Sequence, residues 1–159
     1  KFNGPEPEIR FFDTPELEIE NLINWVKGLL ENESLGIKAH EIAILARTEN
    51  LLKPIKKSLE NENIKVWILD HNANYLVNEI GLAEISRAKG LEFKCVAIVS
   101  CNEEHFPSEE KLQEIKDAEE RNQFLELEKN LLYVGATRAR DVLYISGISP
   151  GSEFLEDLI

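Results

Sequence analysis

Strand-like and helix-like patterns alternate along this chain. Short apolar runs predict strands at residues 9–12, 42–46, 64–69, 83–87, 95–100 and 142–145. Apolar positions with a period of 3.6 residues predict a helix after residue 14, a second from about residue 50 or 54 to residue 61, and a third over residues 123–138. The polar segment 70–81 predicts a loop. Such an order is typical of an α/β domain with a mostly parallel sheet and helices on both faces.

The first predicted helix has a well-marked start. Thr14 suits the N-cap, Pro15 the first helical position, and Glu16 adds an acidic group to the first turn. One face of this helix is predicted to be buried; it carries Ile19, Leu22, Ile23, Val26 and Leu30.

The composition favours one compact domain. The chain has 159 residues, of which 43% are hydrophobic, enough to build one sizeable core. No apolar run approaches the ~20 residues that span a bilayer, and no signal peptide opens the chain. Because the chain lacks methionine and begins at Lys1, we expect residues 1–159 to be a single domain cut from a longer, cytoplasmic protein.

The cysteines and histidines predict neither a disulfide nor a metal site. Cys95 and Cys101 are six residues apart in a predicted strand, roughly 20 Å if fully extended, so they cannot bond to each other. We expect both to be reduced core residues of a cytosolic protein. His40, His71 and His105 are far apart and lack the spacing of metal ligands.

The net charge of −12 argues against a module that binds nucleic acid alone, because phosphate neutralisation supplies most of such binding. Acidic residues crowd the segment 103–128, which predicts a solvated acidic face. Arg87, Lys89 and Lys94 form a small basic group that could contact the phosphates of a nucleotide or of a DNA strand.

One positive charge falls on a predicted apolar helix face. Phe124, Leu127, Leu131 and Arg138 follow one another at helical spacings within a segment that ends in LLYVGATRAR. The guanidinium of Arg138 therefore needs an acceptor, and its rigid fork of donors suits a carboxylate or a phosphate. The structural alternative is an arginine that extends past the helix end or pairs with Asp141.

Two further segments complete a pattern. AKGLEF, residues 88–93, leads into the apolar run 95–99, so Lys89 and Glu92 lie in a turn before a buried strand. The run EIAILART, residues 41–48, precedes both. In this order the three segments resemble motifs IV, V and VI of superfamily 1 helicases of the UvrD/Rep type, which line the second RecA-like motor domain. The resemblance extends from about residue 15 to residue 148.

This resemblance implies roles for individual residues. Arg47 matches an arginine that approaches the terminal phosphate of ATP, and Arg138 matches an arginine finger; both would be catalytic. Lys89, Gly90 and Glu92 match nucleotide-contacting positions, a lysine near the same phosphate and a glutamate that holds the ribose. Each residue also has a structural alternative: a surface charge, a solvated turn, or a positive-φ glycine. If the sheet is parallel, we expect Arg47, Lys89 and Glu92 on one rim, with Arg138 within reach.

The chain departs from the helicase pattern at several positions. Ala46 stands where many relatives carry a tyrosine that stacks on adenine, which predicts weak base discrimination and tighter ATP binding in Ala46→Tyr. Glu84 and Ser86 replace a threonine and a histidine that face DNA, so Ser86 and Arg87 are the expected DNA contacts. Only the short segment around residues 71–81 stands where relatives insert a large subdomain.

A phosphate loop and an apolar strand ending in Asp-Glu are both missing from the sequence. A RecA-like domain of the P-loop NTPase type without these parts can complete an ATPase site but cannot form one. The resemblance therefore implies the second motor domain of an ATP-dependent DNA helicase. Its partners would be single-stranded DNA and a phosphate-loop motor domain of the same polypeptide, which would bind most of the ATP and its Mg²⁺. The alternative is a catalytically inert RecA-like module used for protein interaction.

Overall fold

A computed structural model describes residues 4–69 and 78–158 of the chain. The strands are β1 (Glu8–Phe12), β2 (Ile42–Ala46), β3 (Val66–Ile68), β4 (Ile80–Glu84), β5 (Phe93–Ile98) and β6 (Ala139–Ile148). The helices are α1 (Pro15–Glu31), α2 (Lys53–Asn61), α3 (Glu109–Glu114) and α4 (Ala118–Ala136). Short 3-10 turns cover Ala39–Glu41, Glu49–Leu52, Ile85–Arg87 and Glu153–Leu158. None of the helices in the described part of the chain is both long and apolar enough to cross a membrane.

The six strands form one parallel sheet in the order β1-β6-β5-β2-β4-β3. Apolar side chains of β2 alternate between its two faces, because successive residues of a strand point in opposite directions. Ile42, Ile44 and Ala46 pack in the core layer that includes residues of α1 and α2. Ala43 and Leu45 pack in the opposite layer with residues of α4. The predicted α/β architecture, a parallel sheet covered on both faces, is confirmed.

The strand predicted at residues 83–87 is displaced by three residues. The strand β4 is Ile80–Glu84, and Ile85–Arg87 form a 3-10 turn. The predicted loop 70–81 is therefore wrong at its end, and residues 70–77 lie outside the described residues. Gly81 suggested a loop, but it sits in the strand because Leu69 and Trp67 pack against its backbone. A Cβ there would lie 2.9 Å from Leu69 Cδ1.

The helix α4 begins earlier than predicted. Asp117 caps it by accepting a hydrogen bond from the Glu120 backbone N–H at 3.0 Å, and Glu119 and Glu120 follow in the first turn. Carboxylates at these positions are favourable because the free N–H groups and the dipole at a helix start attract negative charge. After α4 ends at Ala136, β6 starts at Ala139, so this segment runs from helix to strand within three residues.

The two cysteines are buried and free, as predicted. Burial raises the pKa of Cys95 to about 11 and also raises the pKa of Cys101. Because the thiolate is the reactive form, both thiols should react with a disulfide reagent at pH 8 much more slowly in the native chain than in guanidinium. Ellman's reagent with and without denaturant measures this. Equal rates in the two conditions would contradict burial of the thiols.

Candidate functional site

Arg138 lies between the end of α4 and the start of β6. Its Nε donates to the Val134 carbonyl at 3.2 Å, Nη1 donates to the Leu91 carbonyl at 3.0 Å, and Nη2 donates to Thr137 Oγ1 at 3.1 Å. Among the residues that the structure describes, these contacts use three of the five N–H groups of the guanidinium, and two have no acceptor there. Asp141 is contacted by Arg140 instead, with Nε and Oδ1 3.6 Å apart. The acceptors of Arg138 are thus backbone and hydroxyl groups that orient it.

The face of α4 that we predicted to be buried is not the buried one. Leu127 is 68% exposed, whereas the buried residues of α4 are Glu128, Leu132, Gly135 and Ala136. The face predicted to be buried, which includes Leu127, lies beside the face that is buried in the structure. Arg138 therefore does not emerge from an apolar face, and three of its donors are bound at the helix end.

Lys89, Gly90 and Glu92 lie in the connection between β4 and β5, and all three are exposed. Gly90 has a φ of +83°, a conformation that L side chains rarely adopt, and nothing lies within 4 Å of where its Cβ would be. The turn is closed by the Leu91 N–H, which donates to the Ala88 carbonyl at 3.0 Å. Because Leu91 also accepts from Arg138, the structure brings this turn and Arg138 together.

Arg47 follows the carboxyl end of β2 and is bound by Glu128. Its Nε lies 2.9 Å and 3.0 Å from the two carboxylate oxygens of Glu128, and its Nη2 lies 2.8 Å from Glu128 Oε2. Glu84 Oε1 is 4.0 Å from Arg47 Nη1. The side chains are little exposed, 16% for Arg47 and 5% for Glu128. This is a buried, multidentate ion pair between the sheet and α4.

The prediction that Arg47, Lys89 and Glu92 share one rim is wrong. All strands are parallel, and Arg47 follows the carboxyl end of β2, whereas Glu92 precedes β5 and Arg138 precedes β6, both at the amino ends. Glu128, which holds the Arg47 guanidinium, is ten residues before Arg138, about 15 Å along a helix. In this arrangement Arg47 and Arg138 cannot meet on one polyphosphate as predicted.

Ser86 and Arg87 are exposed in the 3-10 turn that follows β4. Arg87 Nε lies 3.9 Å from Glu84 Oε2, a long ion pair that leaves the guanidinium mostly in water. Both residues therefore lie at the carboxyl end of the sheet, on the side of Arg47. The same connection continues to Leu91, whose carbonyl accepts from Arg138.

Two features of the structure differ from or go beyond the sequence predictions. Glu128 was assigned to the solvated acidic face, but it is buried; the other acidic residues of segment 103–126 are exposed. A signal was present, since Glu128 shares a helical face with Leu132 and Gly135. The second feature is a cleft of about 430 Å³ at the carboxyl end of β2. Its polar lining consists of Arg47, Thr48, Asn50, His105, Ser108, Glu110, Lys111 and Glu114.

Ala46 faces away from all of these groups. Its side chain is fully buried in the core layer of α1 and α2, because it points to the sheet face opposite Leu45. The expectation that Ala46→Tyr tightens ATP binding therefore loses its basis.

We instead predict that Ala46→Tyr destabilises the isolated chain by about 1–3 kcal/mol or more, the usual effect of overpacking a core. Urea unfolding measures it, and Thr48→Tyr, at an exposed position two residues on, is the matched control. An Ala46→Tyr variant as stable as the parent would show that this layer can open at residue 46.

The available groups fit phosphate oxygens better than a metal ion. At the amino end of the sheet, Arg138 has unused donors and Lys89 adds an exposed cation. Within residues 4–69 and 78–158, no cluster of three or more His, Cys, Asp or Glu side chains could hold a metal. The guanidinium and ammonium groups at this end of the sheet are suited to an anionic ligand with oxygen acceptors.

Comparison with known proteins gives consistent similarities. The model of the UvrD-like helicase C-terminal domain matches residues 70–150. A Rickettsia felis protein named "Probable DNA helicase II homolog" is 31% identical over 151 residues, which cover 87% of this chain and 22% of the relative. The DNA helicase II of Rickettsia typhi is 31% identical over 146 residues, 84% of this chain and 21% of that protein. The chain thus spans about a fifth of the length of these relatives.

A solved structure shares the fold. The C-terminal domain of a possible DNA helicase from Lactobacillus plantarum superposes with a TM-score of 0.69 at 20% sequence identity. The match covers 98% of this chain and 82% of that one. At this identity the similarity concerns the fold alone.

Proposed function

The chain belongs to the UvrD-like helicase C-terminal domain family, and from this we propose that it is the second motor domain of an ATP-dependent DNA helicase. In this role it completes an ATP site that a separate phosphate-loop domain holds. The two domains would close on bound ATP and reopen after its hydrolysis, and this motion would move single-stranded DNA.

The observation that carries the proposal is the fixed fork of Arg138. Three hydrogen bonds orient the guanidinium at the end of α4 and leave two N–H groups for another acceptor. A preoriented donor costs no reorganisation when negative charge develops on a transferring phosphoryl group. We therefore assign Arg138 as the arginine finger.

The neighbouring turn supplies the remaining nucleotide contacts in this proposal. Lys89 places an ammonium near the phosphates, and Glu92 offers a carboxylate to the ribose hydroxyls. Gly90 allows the turn between them through its positive φ. Bound ATP with Mg²⁺ would supply the phosphoryl group and a metal to neutralise its charge, held mainly by the phosphate-loop domain.

DNA contact is proposed for the connection that follows the carboxyl end of β4. Ser86 and Arg87 are exposed there, and Glu84 approaches both Arg87 and Arg47, which lines the cleft. Local cations and hydroxyl groups can bind a phosphate backbone even though the net charge is −12, because salt screens charges beyond about 10 Å. The same connection continues to Lys89 and Glu92, so DNA and nucleotide would contact neighbouring parts of one segment, which suits a domain that converts hydrolysis into movement.

The direct test is the reading frame upstream of Lys1, together with ATPase assays of the chain alone and of the full-length product. The proposal expects a phosphate-loop domain upstream, DNA-stimulated hydrolysis by the full-length protein and none by the 159-residue chain. A frame without a phosphate-loop domain would overturn the proposal and favour the inert interaction module. Hydrolysis by the isolated chain would also overturn it.

A further inference from the structure

The buried pair of Arg47 and Glu128 connects the sheet to the middle of α4. The pair has three nitrogen–oxygen contacts of 2.8–3.0 Å, and it joins residues 81 positions apart in the sequence. A bidentate guanidinium–carboxylate contact fixes both distance and orientation, unlike a point charge. It therefore determines where Glu128, and the helix that carries it, lies relative to the end of β2.

A second contact holds α4 near its end. Gly135 packs so closely on Ile85 that a Cβ at this position would overlap the Ile85 side chain. Seven residues, about 10 Å of helix, separate Gly135 from Glu128. Two fixed points on one helix define its position and its tilt.

The orientation of Arg138 depends on the position of α4. Its Nε bonds to the Val134 carbonyl in the last turn, so the guanidinium moves with the helix. We propose that Glu128 is a positioning residue: by binding Arg47, it fixes the position of α4 on the sheet and so orients Arg138. This inference rests on the proposed function, in which Arg138 acts on the transferring phosphoryl group.

Because the pair is buried, Arg47 is not expected to leave Glu128 in order to bind a phosphate. The Glu128 side chain is 5% exposed, so water could not replace the guanidinium if Arg47 left. A buried carboxylate without a partner costs folding free energy. Arg47 therefore keeps Glu128 through the reaction. Its effect on turnover passes through α4 and not through a contact with the nucleotide.

The test is a double-mutant cycle in the full-length enzyme with Arg47→Gln, Glu128→Gln and the double variant. If the pair acts as a unit, each single change lowers the DNA-stimulated kcat for ATP by about tenfold or more, the scale expected for a misplaced catalytic group. KM for ATP stays within about threefold, and the double variant is no slower than the slower single variant. Because an unfolded fraction also lowers apparent kcat at unchanged KM, kcat is calculated per folded molecule.

Controls keep the outcomes distinct. Glu126→Gln changes an exposed glutamate of the same helix and should leave kcat unchanged. Circular dichroism at the assay temperature checks folding. The double variant lacks both charges of the pair, so it should fold even if a single variant does not.

A loss of kcat in Arg47→Gln at least ten times larger than the loss in Glu128→Gln would overturn the inference, because Arg47 would then act on the phosphate itself. Unchanged kcat in both single variants would overturn it too. If Arg138→Ala collapses turnover in the same assay, the proposed function survives either result; if Arg138→Ala has no effect, the proposed function fails and this inference with it.

Discussion

Replacing Arg138 with alanine in the full-length enzyme should lower ATPase turnover by roughly 10³-fold or more, the effect of removing an arginine finger in related phosphate-loop enzymes. Unwinding should fall with it. Binding of ATP should change far less, because the phosphate-loop domain supplies most of the contacts. Arg138→Lys should rescue poorly, since an ammonium cannot reproduce the hydrogen bonds of Nε, Nη1 and Nη2. Steady-state kinetics with and without DNA and equilibrium nucleotide binding measure these effects.

Arg140→Ala is the matched control, because Arg140 is an exposed arginine two residues away that pairs with Asp141. Its turnover should stay near that of the parent enzyme. If Arg138→Ala leaves DNA-stimulated turnover within a few-fold of the parent, Arg138 is not an arginine finger. If the variant unfolds, the main role of Arg138 is to tie α4 to the Leu91 turn.

Replacing Arg47 with alanine should destabilise the isolated chain by about 3–5 kcal/mol, the usual cost of removing one partner of a buried ion pair. The reason is the fate of Glu128: its carboxylate stays buried and loses three close contacts with the guanidinium. Glu84 cannot replace the lost partner, because it is itself an acid. Equilibrium unfolding in urea, followed by circular dichroism, gives the free energy of unfolding of the parent and the variant.

Arg87→Ala provides the comparison for this second prediction. Arg87 also lies near Glu84, but its side chain is exposed and the closest approach is 3.9 Å. Such surface pairs contribute under about 1 kcal/mol, so this variant should be nearly as stable as the parent. Equal effects of Arg47→Ala and Arg87→Ala would contradict the view that Arg47 and Glu128 hold α4 on the sheet.

Local patterns were sufficient for the architecture of the protein. The apolar run before Ser100 predicted the central strand β5, Thr14 and Pro15 predicted the start of α1, and the segment 88–93 predicted the turn before β5. These features can be recognised from residues close together in sequence, because an apolar run, a helix cap and a tight turn each involve only neighbouring residues. The boundaries that failed, at β4 and α4, depend on distant contacts or on caps outside the apolar pattern.

The sequence by itself determined that Arg47, Lys89, Glu92 and Arg138 stand at the ends of elements. It could not determine which of them lie close together, because strands and helices end at both edges of a parallel sheet. Only the three-dimensional structure shows at which edge each residue lies. Periodicity likewise gave α4 a helical repeat but not its buried face. That face was decided by Arg47, 81 residues before Glu128, since a buried carboxylate is stable only where the fold brings it a partner.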